Sequence, residues 1–413
     1  MKALTLADIR ALDASDPLRE YRERFDLPGG VVYLDGHSLG PLPHATRSRL
    51  SKLVDEEWAR DLIQSWAIHD WIGAPARVGD LIAQLIGAEA GEVIVSDSTT
   101  VNLHKLIHAA LAMRPGRSVI VSEHGNFPTD LYAIEGVMRV RGGRHSLRLA
   151  SSDRLIDSIC DNTALVLLTH VNYKASAIHD MRALTEAAHA RGALILWDLS
   201  HSAGALEVDL NRAGADFAVG CGYKYLNGGP GAPAFLFIAR RHHEDAPSLL
   251  SGWMGHEDPF DFREDYVPAA GIRRFLCGTP SVPGVAALEE GVKLLLEAGL
   301  RRLAAKSRAL SELFITLLEQ RCADRDLVFL GPRDSSQRGS HVAVAHPNGF
   351  PIMQALIESK VIGDFRAPDV MRFGLAPLYT RYEDVWIAVQ TLAHVTDKEV
   401  WNEDRYGVRG VTT

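Results

Sequence analysis

Two apolar runs, Ala193-Leu194-Ile195-Leu196-Trp197-Asp198 and Asp216-Phe217-Ala218-Val219-Gly220-Cys221, constrain this chain most, because each leads into a group that an apolar interior does not accept without a partner. The first closes on Asp198. The second passes into Tyr223-Lys224-Tyr225-Leu226-Asn227 and the turn Gly228-Gly229-Pro230-Gly231. A lysine is almost never buried without a role, and glycines let a backbone turn sharply and approach a ligand closely. Asp198 and Lys224 are 26 residues apart, enough for one crossover and one strand. Runs that are apolar throughout are strands buried on both faces, and such strands form a largely parallel sheet covered by helices. Ligands of such sheets gather at the carboxyl ends of the strands, where Asp198 lies.

The surrounding pattern extends this α/β reading. Strands are predicted at 93–96, 118–122, 164–171, 193–198, 217–221 and 234–239, with helices at 101–113, 131–138, 154–159 and 181–191 between them. Residues 44–86 read as helical. After residue 280 come two long amphipathic helices (285–300 and 303–320), short strands at 327–330 and 341–345, and a last helix at 382–396. We therefore expect an N-terminal arm (1–30), a large domain (31–284) and a smaller C-terminal α+β domain (285–413), a division that 413 residues support. With 46% hydrophobic and 23% charged residues, an ordinary globular enzyme is expected. A net charge of −8 without a basic block argues against nucleic acid or an anionic membrane as partner. Cys160, Cys221, Cys277 and Cys322 have no CxxC spacing and read as core thiols in a reducing compartment. The first 18 residues lack the apolar core of a signal peptide, and no apolar run reaches the length of a membrane span. A cytoplasmic protein is expected. The 17 histidines include no HExxH pair, and the glycine-rich turn is not a nucleotide P-loop, so no metal is expected.

An acid and a lysine at the ends of neighbouring strands are what pyridoxal phosphate (PLP) requires. The amine forms an imine with the cofactor, and the acid pairs with the protonated pyridine nitrogen and keeps the ring an electron sink. Ser98-Thr99-Thr100 open an apolar-periodic helix. Their hydroxyls either cap it or, with the free amides and the helix dipole, hold a phosphate. In His124-Gly125-Asn126-Phe127-Pro128-Thr129-Asp130, Phe127 can stack on a planar cofactor; otherwise the stretch is a loop with a helix cap at Thr129 or Asp130. Asp198-Leu199-Ser200-His201 is either an exposed turn or a functional acid, and Lys224 tips the balance to the second.

These residues, with Leu34-Asp35-Gly36-His37-Ser38-Leu39-Gly40, Thr99-Thr100-Val101-Asn102-Leu103-His104, Arg338-Gly339-Ser340-His341 and Arg372-Phe373-Gly374-Leu375-Ala376-Pro377-Leu378-Tyr379, make the chain resemble the kynureninases through most of its length. That family consists of PLP enzymes of the aspartate aminotransferase fold (fold type I). The ordered set, with Tyr-Lys-Tyr-Leu-Asn and Arg-Gly-Ser-His together, is what makes the resemblance specific. It implies that Lys224 carries the cofactor, Asp198 pairs with the pyridine nitrogen, and His201 lies beside it. Thr99, Thr100 and Tyr223 would bind the phosphate. Phe127, in the loop with Pro128 and Thr129, would cover the ring, with Asp130 and Thr169 nearby. Trp253 and Thr279 would reach the phosphate of the neighbouring subunit in a homodimer. Arg372 would hold the substrate carboxylate, while Ser38 and a residue of the 64–71 segment, here Trp66, would line the aryl pocket.

The implied reaction is hydrolysis of L-kynurenine, or its 3-hydroxy form, to anthranilate or 3-hydroxyanthranilate and L-alanine in tryptophan catabolism. Tyr223 would serve as proton shuttle. Three rivals stand beside it. An aminotransferase would share Asp198 and Lys224 but lack the aryl pocket. A cysteine desulfurase needs a nucleophilic cysteine on a mobile loop of the small domain, where only Cys322 occurs. A non-catalytic PLP-binding protein would not be expected to keep Asp198, Lys224 and Arg372 together.

Overall fold

The computed structural model describes residues 4–410. Seven strands form the main sheet, in the spatial order Val93–Val95, Phe235–Ile238, Phe217–Gly220, Leu194–Asp198, Thr163–Thr169, Val119–Glu123 and Ser146–Ala150. Only Phe235–Ile238 runs against its neighbours; the other pairs are parallel. Helices Thr99–Ala112, Pro128–Val140 and Met181–Ala190 connect or cover these strands. Trp197, Phe217, Phe235 and Phe237 are fully buried, each worth about 1.5–3 kcal/mol of burial. The sheet matches the expected strands to within a few residues. It adds Ser146–Ala150, which escaped the sequence reading because it is an edge strand with exposed Ser146 and Arg148 alternating with half-buried Leu147 and Leu149.

The stretch 44–86 corrects the expectation of continuous helix. Helix His44–Lys52 gives way to a π-helical segment Leu53–Trp58, short turns Leu62–Gln64 and Ser65–Ile68, and then helix Ala74–Ile86. The breaks fall where Leu62 and Asp70 adopt left-handed backbone and where Pro75 opens the last helix.

The C-terminal lobe holds an antiparallel sheet in the order Asp364–Arg366, Val370–Gly374, His341–Ala345, Val328–Leu330. Helices Leu300–Arg321, Gly349–Glu358 and Tyr382–Asp397 accompany it. Two of these strands and helix Gly349–Glu358 were not read from the sequence. The strands are short, and buried Asp364 and Arg372 interrupt the apolar pattern from which strands are recognised. The core of this lobe also takes in Ile9, Val32 and Leu34 from the start of the chain. Val32–Tyr33 pairs in parallel with Val361–Ile362.

From there residues 34–40 cross to the main sheet. Gly374 N donates to Leu34 O at 2.6 Å, and Gly40 N donates to Tyr223 O at 2.8 Å. A methyl group on Gly40 would stand 2.6 Å from Lys224 O and 2.5 Å from Asn227 Oδ1. The crossing is close because residue 40 has no side chain. Gly40→Ala is expected to cost about 1–3 kcal/mol of stability, the penalty of overpacking. Gly29→Ala, which meets nothing within 4 Å, should stay within about 0.5 kcal/mol. Urea unfolding of the two variants checks this.

Candidate active site

Asp198 is the last residue of its strand, and its register partner on the next strand is Thr169. Its carboxylate is 2% exposed and accepts a hydrogen bond from Ser200 N at 2.7 Å. Burial pushes the Asp198 carboxyl above the usual range, while the Ser200 hydrogen bonds and the nearby Lys224 ammonium oppose the rise. Lys224 Nζ lies 3.1 Å from His201 Nε2, 5.7 Å from the centre of the Phe127 ring and 5.9 Å from that of Tyr223. Burial, and next the Lys224 charge, drive the His201 pKa well below its ordinary value, so the imidazole is neutral. Its Nδ1 is buried without a hydrogen-bond partner. Burial likewise raises the Tyr223 hydroxyl, which keeps its proton.

Phe127 stands immediately before helix Pro128–Val140 and makes an edge contact with Tyr173 at 5.3 Å. The helix has no side-chain cap, so the alternative of a cap at Thr129 or Asp130 does not hold. Pro128 takes the first helical position, and Asp130 turns inward. Asp130 Oδ2 lies 3.2 Å from both Thr169 Oγ1 and Asn126 Nδ2, and Thr169 Oγ1 lies 2.6 Å from Asn126 Oδ1. Burial, then the Asp198 charge, raise the Asp130 carboxyl well above its usual range. Asn126 was not singled out from the sequence; amides in loops carry no signal of their own.

Tyr223, next to Lys224 in the chain, borders a cavity of about 510 Å³ whose lining also includes Ser98, Thr99, Gly278 and Thr279. Ser98 caps helix Thr99–Ala112 through Val101 N at 3.4 Å, and the first-turn amides that this cap leaves free are of the kind that hold anions. Thr100 is exposed beside the cavity. Below it, fully buried Lys105 pairs with Asp97 and donates to Ser96 Oγ at 3.1 Å and to Phe275 O at 2.6 Å. It thereby ties the Ser98 loop to the segment that leads to Thr279. Nothing in the sequence distinguished Lys105 from a surface lysine.

Arg372 is buried on strand Val370–Gly374, and its guanidinium is not an open fork. Nε donates to Asp364 Oδ1 at 2.7 Å, Nη2 pairs with Asp364 Oδ2, and Nη1 donates to Tyr173 O at 2.7 Å. Ser38 Oγ is 3.4 Å from Arg372 Nη2. Between Arg372 and Lys224 stand three buried histidines. His341 lies 5.2 Å from His37 and 5.4 Å from His201, ring centre to centre. Burial lowers the pKa of each, that of His37 to about 4.

Trp66 and Trp253 meet edge to face at 6.4 Å. With Thr279, Ile63, Phe260 and Phe262 they line a separate cavity of about 560 Å³. Its lining includes neither Ser38 nor Lys224, so one chain does not bring Trp66 and Ser38 into one pocket. Thr279 borders both cavities.

This donor set fits PLP: a buried acid for the ring nitrogen, an amine at the same sheet edge, an aromatic face and a helix N-terminus for the phosphate. The fold agrees. The apo cysteine desulfurase from Thermococcus onnurineus NA1 superimposes with a TM-score of 0.74 at 19% identity, covering 96% of this chain and 100% of that one. A C-DES variant with glycine covalently linked to its PLP cofactor superimposes with a TM-score of 0.78 at 17% identity, covering 90% and 98%. The chain has fold type I, the fold of these PLP-dependent enzymes.

Sequence likeness narrows the class. The family profile described as "Kynureninase C-terminal domain" matches residues 303–392. The proteins named kynureninase from Pseudomonas fluorescens and Burkholderia pseudomallei (strain 1106a) are 47% and 46% identical over 414 residues, 99% of this chain and 100% of theirs. The chain belongs to the kynureninase family.

Lys224→Ala is expected to abolish turnover and the visible absorbance of the bound cofactor, since no other amine replaces it. Asp198→Ala should retain some cofactor by equilibrium dialysis while losing activity by roughly 10²-fold or more, the scale at which proton-holding groups act.

Proposed function

We infer that this chain hydrolyses L-kynurenine to anthranilate and L-alanine. The observation that carries the reading is the placement of Lys224 beside neutral His201 and close to buried Asp198, in a chain that matches the kynureninases along its whole length. Lys224, Asp198, Phe127, Thr99, Thr100 and Tyr223 are the residues that would hold PLP, with His201, Asp130 and Thr169 around the ring. Bound PLP supplies an electron sink for the substrate carbons next to the amine nitrogen. Asp198 would pair with the ring nitrogen and favour its protonated form. Nζ of Lys224 removes the α-proton and returns it, and neutral His201 at 3.1 Å can accept a hydrogen bond from that amine without competing for charge. Water adds to the γ-carbonyl, the bond between the β- and γ-carbons breaks, the water oxygen leaves in the new carboxylate of anthranilate, and the β-carbon takes a proton to become the methyl group of alanine. The Tyr223 hydroxyl, which burial keeps protonated, is the donor for that step. The test is direct: holoenzyme with L-kynurenine should develop anthranilate fluorescence, and no fluorescence would remove the assignment. Competition by 3-hydroxykynurenine reports the ring preference.

Arg372 is assigned the substrate α-carboxylate. Arg372→Ala should raise KM and lower kcat/KM by about 2–4 kcal/mol, the size for a buried charge pair; steady-state kinetics with an unchanged KM would show another residue in that role. Desulfurase chemistry is disfavoured by Cys322. It is 2% exposed at the end of helix Leu300–Arg321 and not on an exposed loop, and burial pushes its thiol up to about 11, which disfavours the thiolate.

Two copies are inferred to pair. Trp58, Ile63, Ile68 and Phe262 are each at least 60% exposed, a concentration of apolar surface that supports an interface. In this reading the Trp66, Trp253 and Thr279 group serves the partner's site. Mixing Lys224→Ala subunits with Trp253→Ala, Thr279→Ala subunits should then restore activity, because the heterodimer contains one undamaged site. Subunit exchange verified by mass without regained activity would assign the group to its own chain. No described helix is long and apolar enough to cross a membrane. The four cysteines are free, with Cys221 and Cys322 buried and Cys160 and Cys277 half-buried, which supports a reducing, cytoplasmic setting.

A further inference from the structure

Asp364 has no part in the chemistry above, yet it occupies the group that is to receive the substrate. It lies directly opposite Arg372 in the antiparallel register of strands Asp364–Arg366 and Val370–Gly374 and is 2% exposed. A guanidinium offers five N–H groups in a rigid plane with two usable edges. Asp364 takes the side edge, with Oδ1 on Nε at 2.7 Å and Oδ2 on Nη2. Ser38 Oγ donates to the same Oδ2 at 2.7 Å, and Arg366 Nη2 stands 2.8 Å from it. What is left of Arg372 is the end edge formed by Nη1 and Nη2. Its contacts are the Nη1 bond to Tyr173 O at 2.7 Å and the long contact of 3.4 Å from Nη2 to Ser38 Oγ.

The charges point the same way. Two guanidiniums, Arg372 and Arg366, share one carboxylate. The other nearby acid, Asp35, lies 3.5 Å from His37 Nδ1, and burial followed by the Asp364 charge pushes its carboxyl up to about 7. It therefore carries only part of a negative charge near neutral pH. A second carboxylate, brought by the substrate, balances the pair of arginines.

We propose that Asp364 is a positioning residue that clamps Arg372 along its side edge, so that the substrate α-carboxylate is received end-on, at Nη1 and Nη2 beside Ser38. This rests on the reading of Arg372 as the carboxylate binder. Held by two parallel bonds, the guanidinium cannot rotate about its long axis, and its remaining N–H groups keep one direction. The ligand then meets a preorganised donor pair and does not have to order one.

Asp364→Ala would remove the charge that compensates Arg372 and open a cavity as well, and so endanger the fold. The variant to use is Asp364→Asn, which keeps the shape, with Asp364→Glu, which keeps the charge but moves it by one methylene, as the second. Folding is checked by near-ultraviolet circular dichroism. The KM for L-kynurenine should rise about 10- to 100-fold, the range for hydrogen bonds to charged groups, while kcat changes less than about threefold. The probe for a merely structural role is kynuramine, which is kynurenine without its α-carboxylate: its inhibition constant should stay within about twofold. In an Arg372→Ala background, Asp364→Asn should cost less than about twofold further in kcat/KM, because the two residues act as a unit. An unchanged KM, an equal weakening of kynuramine, or a full additional loss in the Arg372→Ala background would each overturn the proposal. Wild-type turnover of kynurenine, measured alongside, tests the assignment of the reaction separately, since it does not depend on how Arg372 is held.

Discussion

The site depends on keeping one ammonium, that of Lys224, at the edge of a sheet whose interior is apolar. Such a group needs acceptors and nearby negative charge, or it forfeits its hydration without return. His201 offers a neutral acceptor at 3.1 Å, and the Lys224 charge favours the ionised forms of Asp198 and Asp130, which burial disfavours. The carboxylates in turn raise one another's cost of ionisation. Bound PLP, with a cationic ring nitrogen and a phosphate, would restore the balance that these side chains alone leave uneven, and burying groups that would each be more stable in water is then a form of preorganisation.

The other lobe repeats this logic with a second buried cation. Arg372 is buried among Asp364, Ser38 and a backbone carbonyl. The short crossing 34–40 is the mechanical link between the two charged centres. It is bonded to Gly374 in one lobe and to Tyr223 in the other, and it carries His37 and Ser38 between them. A methyl on Gly374 would come within 2.2 Å of His37 Nδ1, so the crossing is seated as tightly at this end as it is at Gly40. Backbone, rather than flexible side chains, thus joins the small lobe to the turn that holds Lys224.

Much of the main sheet was legible because buried parallel strands read as uninterrupted apolar runs. Leu194–Asp198 and Phe217–Gly220 fell where the pattern put them. The edge strand Ser146–Ala150 and the strands of the small lobe were not legible, since an exposed face or an internal ion pair breaks the run. The pair Asp364 and Arg372 shows this most clearly. Each charge argues locally against a buried strand, and only their adjacency across the ladder makes the two strands tolerable. Residues 44–86 failed in the opposite direction. Local apolar spacing persists there, but left-handed residues and a proline divide it.

The sequence by itself determined the class of chemistry. An acid and a lysine that end neighbouring apolar strands must share the carboxyl edge of a parallel sheet, and the ordered motifs around them belong to one family. Tertiary structure alone decided the company each group keeps: that His201 is neutral and touches Lys224, that Asn126 and Thr169 hold Asp130, that Lys105 braces the Ser98 loop, and that Asp364 rather than open space faces Arg372. Those choices depend on contacts between residues tens to hundreds of positions apart. Burial and charge act through distance in space, which local spacing along a chain does not encode.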